Sequence, residues 1–424
     1  MAIEGHLLKK KKHLLSILGP GILVAATGIG AGDLATAAFT GTKLGVAILW
    51  AVVVGAFFKF ILNEGLTRWQ LATGTTLLEG AVSHLGRPAQ YSFLVYLLAW
   101  SFMVAAALMS ACGVAVQAIF PLFQNPSTGK IVYGIMLSIV GVVLVRLGGY
   151  RLFEKVMSIC IGLMFVTVVL TAILLKPSWS GLMTGLLLPT IPHLDGEGLA
   201  WTIALMGGVG GTVTVLCYGY WIREEGRFRD DDLRICRIDL AVGYTMTALF
   251  GLAMVVIGST IQVEGRGATL VITLADKLVE ELGLIGKWAF LLGAWGAVFS
   301  SLLGVWQSVP YLFSDLWGMI GEGQPSRDRT MDTDSSSYRW YLYAMATVPM
   351  IGLWVGFANM QKFYAIVGAL FMPMLALVLL LLNGRAQWVG ERYQNHPLTS
   401  TLLIIILVFF LMAGGLAIRK VLGF

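Results

Sequence analysis

Charge is what this 424-residue sequence has least of. Asp, Glu, Lys and Arg make up 12% of it, against 57% hydrophobic residues. A soluble domain carries about 25% charged residues, so the composition excludes a water-soluble enzyme or nucleic-acid-binding protein as the overall class. Cysteine is scarce as well. Cys112, Cys160, Cys217 and Cys236 fall in apolar stretches or at their ends, which argues against a disulfide framework, and no pair has zinc-site spacing. The five histidines, His6, His13, His84, His193 and His396, all fall in loops or tails. No nucleophile–base set and no cluster of metal-ligating side chains is visible, so neither an enzyme nor a resident cofactor is expected. The first apolar stretch lacks a small-residue cleavage site after its lysines, so a cleaved signal peptide is not expected either.

Long apolar runs are what the sequence has instead, and a bilayer-spanning helix needs about 20 such residues. The pattern predicts an all-α integral membrane protein of about eleven transmembrane helices, at 14–43, 45–63, 91–120, 131–148, 153–175, 198–222, 238–262, 285–317, 340–358, 362–383 and 400–418. A tail over 1–13 would precede a core over 14–383, made of helices 1–5 (14–175) and helices 6–10 (198–383). Residues 384–424 would add a loop and an eleventh helix. Lys9 to Lys12, then Arg68 and Arg87, Arg146, Arg151 and Lys155, Arg223 to Arg237, Arg327, Arg329 and Arg339, and Arg385 and Arg392 fall on alternate loops. Basic residues favour the cytoplasmic face, so the N-terminus is predicted to be cytoplasmic and the protein a multi-pass one of a plasma membrane of the bacterial inner-membrane type. The net charge of +6 then reflects topology, with no nucleic-acid partner.

Two of the predicted helices are interrupted by glycine: Thr27-Gly28-Ile29-Gly30-Ala31-Gly32-Asp33 in the first and Gly207-Gly208-Val209-Gly210-Gly211-Thr212-Val213-Thr214 in the sixth. Glycine weakens a helix and exposes its backbone, and non-helical backbone at membrane depth persists only inside protein or along a cavity. Discontinuous first and sixth helices, five apart, predict a 5+5 inverted repeat with a substrate site at the paired breaks. The alternative is that the glycines only allow close helix packing. Residues 223–232 and 322–338 read as solvated loops, the first alternatively as a set of ion pairs closing a gate.

Ionisable residues inside a membrane are usually functional, and Asp33 alone sits at the centre of a predicted break. Lys59, Asp239 and Asp315 fall near helix ends, where they would reach water. Asp33 could ligate a cation, or it could cap the helix that follows it, since Asp is a favoured N-cap. The second break offers the Thr212 and Thr214 hydroxyls and free carbonyls around Gly210 and Gly211, with Tyr218 and Tyr220 after it and Gln307 as a further polar candidate. An oxygen-only set of ligands suits hard cations such as Mg²⁺, Ca²⁺ or Mn²⁺.

The run Gly19-Pro20-Gly21-Ile22-Leu23-Val24-Ala25-Ala26, with the break and Ala35-Thr36 after it, resembles the first helix of NRAMP-type divalent metal transporters. Ala72-Thr73-Gly74-Thr75-Thr76-Leu77-Leu78-Glu79 resembles the segment after their second helix. The resemblance implies the leucine-transporter-like fold of the amino-acid/polyamine/organocation (APC) superfamily and alternating access. It also carries departures. The family's Asp-Pro-Gly-Asn aligns with Gly30-Ala31-Gly32-Asp33, so the metal-binding Asp becomes Gly30 and the Asn becomes Asp33. Its Met-Pro-His aligns with Thr214-Val215-Leu216, which puts Thr214 in place of the methionine, and its carbonyl ligands map to Thr27 and Gly211. The acidic residues of its third helix have no counterpart in Ala105–Gly113. This pattern is similar to the divergent NRAMP-related magnesium transporters. The expected function is transport of Mg²⁺ or Mn²⁺ as substrate, by a monomer in the lipid bilayer, without obligatory proton coupling. The metal site would comprise Asp33, Thr214, Gly211, Thr27, Gly30 and Thr212. The alternative is an organic-substrate symporter of the same superfamily, carrying an amino acid or amine.

Overall fold

The computed structural model describes residues 19–194, 197–229, 231–260, 270–322 and 332–421. The lysines at 9–12, His6, His13, Arg327 and Arg329 lie outside these residues. The described elements are all helical. In chain order, α1 (Gly19–Gly28) passes through a π-helical segment (Ile29–Thr36) into α2 (Ala37–Leu44). There follow α3 (Leu49–Thr73), α4 (Leu77–Leu85), α5 (Arg87–Ile119), α6 (Pro126–Leu174) and α7 (Trp179–Leu187). The second half contains α8 (Gly198–Gly208), α9 (Cys217–Glu224), α10 (Asp232–Thr260), α11 (Leu270–Glu322), α12 (Ser336–Thr347), α13 (Phe357–Ala369), α14 (Phe371–Asn383), α15 (Ala386–Val389) and α16 (Pro397–Val421).

Eight helices among the described residues are long and apolar enough to cross a membrane, fewer than the eleven predicted because the first and second together count once, over Asp33–Thr73, the ninth is broken, and the eleventh contributes only the shorter apolar stretch Pro397–Met412. The first is split by its π-helical segment. The ninth gives way at Pro349 to a 3-10 turn over Val348–Trp354. The fourth and fifth run on in the single element α6, whose halves Pro126–Leu147 and Leu152–Leu174 each have the length of a span. The second, predicted to stop at 63, continues to Thr73. Its last turns are polar, yet they find partners inside the protein: Arg68 Nε donates to Glu64 (2.8 Å) and Gln70 Nε2 to the Gly219 carbonyl (2.6 Å).

Local chemistry sets the ends. Gly74, in the left-handed region at φ 71°, closes α3. Thr76 and Glu79 form a reciprocal capping box that starts α4. Asn125 caps α6 in front of Pro126, whose missing N–H costs nothing in a first turn. Large apolar side chains cover the outer faces, Val95, Ile159, Val166, Ile405 and Leu411 among them, while Trp69, Trp100, Trp221 and Trp306 are fully buried. An apolar exterior of this extent is what hydrocarbon, and not water, stabilises. The interrupted helices α1–α2 and α8–α9 lie at the centre, with α1 packed against α6, α10 and α11.

Candidate functional site

The first break is slight. Only Gly30 leaves helical dihedrals (φ −70°, ψ −119°). The Ala26 carbonyl, whose α-helical partner would be the Gly30 N–H, accepts hydrogen bonds from Ser301 (2.8 Å) and Ser300 (3.3 Å) of α11. Ser301 also fills the space that a side chain on residue 30 would need, because a Cβ there would collide with its Cβ and Oγ.

The second break is a full unwinding. After α8 the chain turns extended at Val209 (φ −53°, ψ 123°) and passes through Gly210 and Gly211 at φ 76° and 84°. It resumes as a 3-10 turn over Val213–Leu216 before α9. Positive φ at two successive positions requires glycine. The unwound backbone exposes carbonyls, and Lys59 of α3 takes three of them. Its Nζ donates to Gly207 (3.0 Å), Val209 (2.7 Å) and Gly211. Lys59 is therefore not at a watery helix end, as its place in the sequence suggested: it is fully buried. The second helix is longer than predicted, which moves Lys59 towards the middle of α3, opposite the break.

Asp33 lies inside the π-helical segment and does not cap the helix that follows it. That helix starts after Thr36, which makes no side-chain cap, and the Ala37 N–H bonds backbone carbonyls. The Asp33 carboxylate crosses instead to the other break, where Oδ2 accepts the Gly210 N–H (3.2 Å). It is fully buried, and its Oδ1 has no hydrogen-bond partner. The two breaks also meet through backbone: a Cβ on Gly28 would lie 2.5 Å from the Gly210 carbonyl carbon.

The other predicted residues sit around this contact. Thr27 is buried with an unpartnered hydroxyl and packs against Gly304. Thr214 turns its hydroxyl back onto Gly211, where a Cβ would lie 2.5 Å from Oγ1. Thr212 points away, towards α5 and α13; its Oγ1 accepts from Trp100 Nε1 (2.8 Å) and its side chain covers Gly368. Gln307 belongs to a separate network of Trp221, Tyr311 and Tyr338. Sequence reasoning misplaced Lys59, and it missed the α11 serines and Asn63, one turn along α3, which donates to Tyr244 (3.1 Å) beside Gly210. The signal for Lys59 was present: an ionisable residue within the apolar run Ala56-Phe57-Phe58-Lys59-Phe60-Ile61-Leu62.

Ion pairs close both ends of the interrupted pair. At one end Arg223 pairs with Glu79 (2.8 Å) and Arg227 with Asp239 (2.9 Å). Asp239 is thereby fully buried, against expectation. Tyr218 donates to Asp239 (3.1 Å) and Tyr220 to Asp315 (2.7 Å). Arg223 and Arg227 of the predicted 223–232 loop are thus engaged in ion pairs. At the other end Glu197 takes Lys43 (3.2 Å) and Lys362 (3.6 Å). The hydrogen bond from Lys43, then that from Trp201 and the Lys362 charge, hold the Glu197 carboxyl below the usual carboxylate range. Overall, the arrangement offers a buried carboxylate, an array of carbonyls and two threonine hydroxyls, all oxygen donors suited to a hard cation.

Residues 21–419 match the family described as natural resistance-associated macrophage protein-like, Nramp. The divalent metal cation transporter MntH of Chromohalobacter salexigens is 23% identical over 284 residues, 64% of this chain and 63% of that relative's length. Among solved structures, a mutant of the Eremococcus coleocola manganese transporter superposes with a TM-score of 0.72 at 16% identity, covering 99% of this chain and 89% of the other. MhsT in complex with L-phenylalanine superposes at 0.63 and 16% identity, covering 94% and 98%. Likenesses at these identities establish the fold, an inverted-repeat transporter architecture with interrupted first and sixth helices.

Proposed function

The chain belongs to the Nramp family, and on that premise we propose that it carries divalent metal cations across a membrane by alternating access, with Mn²⁺ and Mg²⁺ as substrates. The observation that carries the reading is Asp33: a fully buried carboxylate, bound across to the unwound sixth helix, with one oxygen free. Names among the relatives and neighbours, divalent metal cation transporter and manganese transporter, support the substrate class. Family membership disfavours the organic-substrate alternative.

In this reading Asp33 supplies the charge, the carbonyls of Thr27 and Gly211 supply neutral oxygens, and Thr214 supplies a hydroxyl or a water contact. Gly30 leaves the position of the family's aspartate without a side chain, and Thr212 ties the break to α5. An oxygen set without sulfur favours hard ions over softer transition metals. Transport proceeds without obligatory proton coupling, because a divalent ion entering down an inside-negative potential is driven by about 4.6 kcal/mol per 100 mV. The protein acts as a monomer in an inner-membrane-type bilayer. Its N-terminus and the Arg223–Glu79 end face the cytoplasm, in keeping with the basic residues there.

The test is uptake of Mn²⁺ and Mg²⁺ into proteoliposomes at a fixed potential, with a pH dye in the lumen. Uptake with no pH change supports the proposal. Uptake with lumenal acidification overturns the uncoupled mechanism, and no uptake of either ion by folded protein overturns the substrate class.

A further inference from the structure

We propose that the Lys59 ammonium is a tethered cation which holds the carbonyl cage of the sixth helix while no metal is bound, and that a divalent ion loads by displacing it. The inference rests on the transport reading above, but its evidence is separate. Three carbonyl oxygens of one unwound segment, from Gly207, Val209 and Gly211, accept hydrogen bonds from a single Nζ. A neutral amine has two N–H groups and an ammonium has three, so the geometry is that of the charged form. The side chain is fully buried, and among the described residues no carboxylate forms an ion pair with it. A buried charge without a paired counter-ion is tolerated only where dipoles replace its water. The carbonyls do this in the way that an oxygen cage holds a metal ion.

The charge of Asp33 is connected through the same backbone. The peptide between Val209 and Gly210 gives its carbonyl to Lys59 and its N–H to Asp33. In a trans peptide these groups point in opposite directions. One peptide dipole therefore lies between ammonium and carboxylate, aligned with both. The two opposite charges balance, and the buried unwound backbone between them is held from either side. A divalent ion drawn to Asp33 and the Gly211 carbonyl meets the ammonium on the same oxygen, and like charges in a dry site cannot share it. An alternative seat for the ammonium exists one turn along α3, since residues four apart on a helix are neighbours. Asn63 Oδ1 is buried there and has no hydrogen-bond partner. Lys59 therefore acts as a positioning residue and as an internal competitor that sets the affinity of the site.

The experiment is equilibrium binding of radioactive Mn²⁺ to the purified full chain, comparing wild type with Lys59→Gln and Lys59→Arg, each checked for folding by thermal unfolding. Gln keeps a donor for the carbonyls and removes the charge; Arg keeps the charge. Tighter binding by Lys59→Gln, about tenfold or more, with no tightening in Lys59→Arg, is the expected result. Wild-type binding that Lys59→Gln leaves equal or weakens overturns the inference alone. Absence of binding in both overturns the transport reading and the inference with it. If Lys59→Gln does not fold, the wild type decides the matter through reductive methylation of Lys59 read by peptide mass spectrometry. Saturating Mn²⁺ should raise its labelling severalfold, and unchanged or lower labelling overturns displacement.

Discussion

The two interruptions differ more than their similar glycine content suggests. In the first helix a single residue, Gly30, departs from helical dihedrals, and neighbouring serines absorb the disturbed carbonyl. In the sixth, four successive residues, Val209 to Thr212, leave the helix, two of them in the left-handed region. The first break therefore contributes a side chain, Asp33, and the second contributes backbone. A carboxylate needs only a slight bend to turn inward, whereas an array of carbonyls needs the helix undone. The two kinds of break are complementary, and the Asp33–Gly210 hydrogen bond joins them.

The strongest way to break this pairing is Asp33→Ala. It removes the only charge that the first break supplies and leaves the Gly210 N–H without its acceptor. Loss of a buried charged partner costs about 3 kcal/mol or more, so Mn²⁺ uptake should fall by roughly a hundredfold. Proteoliposome uptake by protein that still elutes as a folded species checks this, and retained transport would remove Asp33 from the site.

The second pair of experiments separates conformation from space. Gly211→Ala puts a side chain at φ 84° and 2.5 Å from the Thr214 hydroxyl. Its cost is about 1–3 kcal/mol, and trimming Thr214 to Ala should not recover it, because the dihedral strain persists. At Gly30 φ is −70°, outside the left-handed region, and a Cβ there meets the Cβ and Oγ of Ser301, with Leu108 at 3.3 Å. Gly30→Ala should cost about 1–3 kcal/mol through overpacking, and most of that cost should vanish when the change is made in a Ser301→Gly background and compared with Ser301→Gly alone, which itself gives up the hydrogen bond to the Ala26 carbonyl. Thermal unfolding of these variants and of the Ser301→Gly control reads out the contrast; equal rescue at both positions would mean that the two breaks are alike after all.

A finer probe is Thr214→Met, which places a soft sulfur beside the Gly211 carbonyl. Preference for Mn²⁺ over Mg²⁺ should rise by about tenfold, or 1.4 kcal/mol, as read from competition in uptake. An unchanged ratio would take Thr214 out of the ion's reach.

How far these features could be read from the sequence depended on their kind. The spans were legible because hydrocarbon demands long apolar runs, and the sixth break because paired glycines in such a run have few other uses. Lys59 was misjudged because its surroundings depend on where α3 ends. That end lies beyond the polar residues Asn63 to Gln70, whose partners come from distant segments such as Gly219 and Tyr393. The role of Asp33 was open for a related reason: local sequence favours a helix cap, and only tertiary contact with Gly210 decides otherwise. Ser301 carries no sequence signal at all, since a serine in a membrane helix ordinarily bonds its own backbone.

The smallest effect concerns the end where Glu197 meets Lys43 and Lys362. The carboxylate is half exposed, at 56% of its side-chain surface, so water screens the contact and its worth is about 0.5 kcal/mol. Its pKa is lowered by the Lys43 hydrogen bond first. A group held below its free value stabilises the contact at every pH above that value, about 4.3 for Glu, and the gain is lost as pH falls through the lowered value. Between pH 6 and 8 the difference in unfolding temperature between wild type and Glu197→Gln should thus be small and constant. Below about pH 4 it should shrink towards zero as the carboxyl is protonated. A difference that grew on acidification would mean that Glu197 opposes closure of this end. The two ends would then differ in sign as well as strength, because the buried Arg227–Asp239 pair at the other end has no such exposure to water.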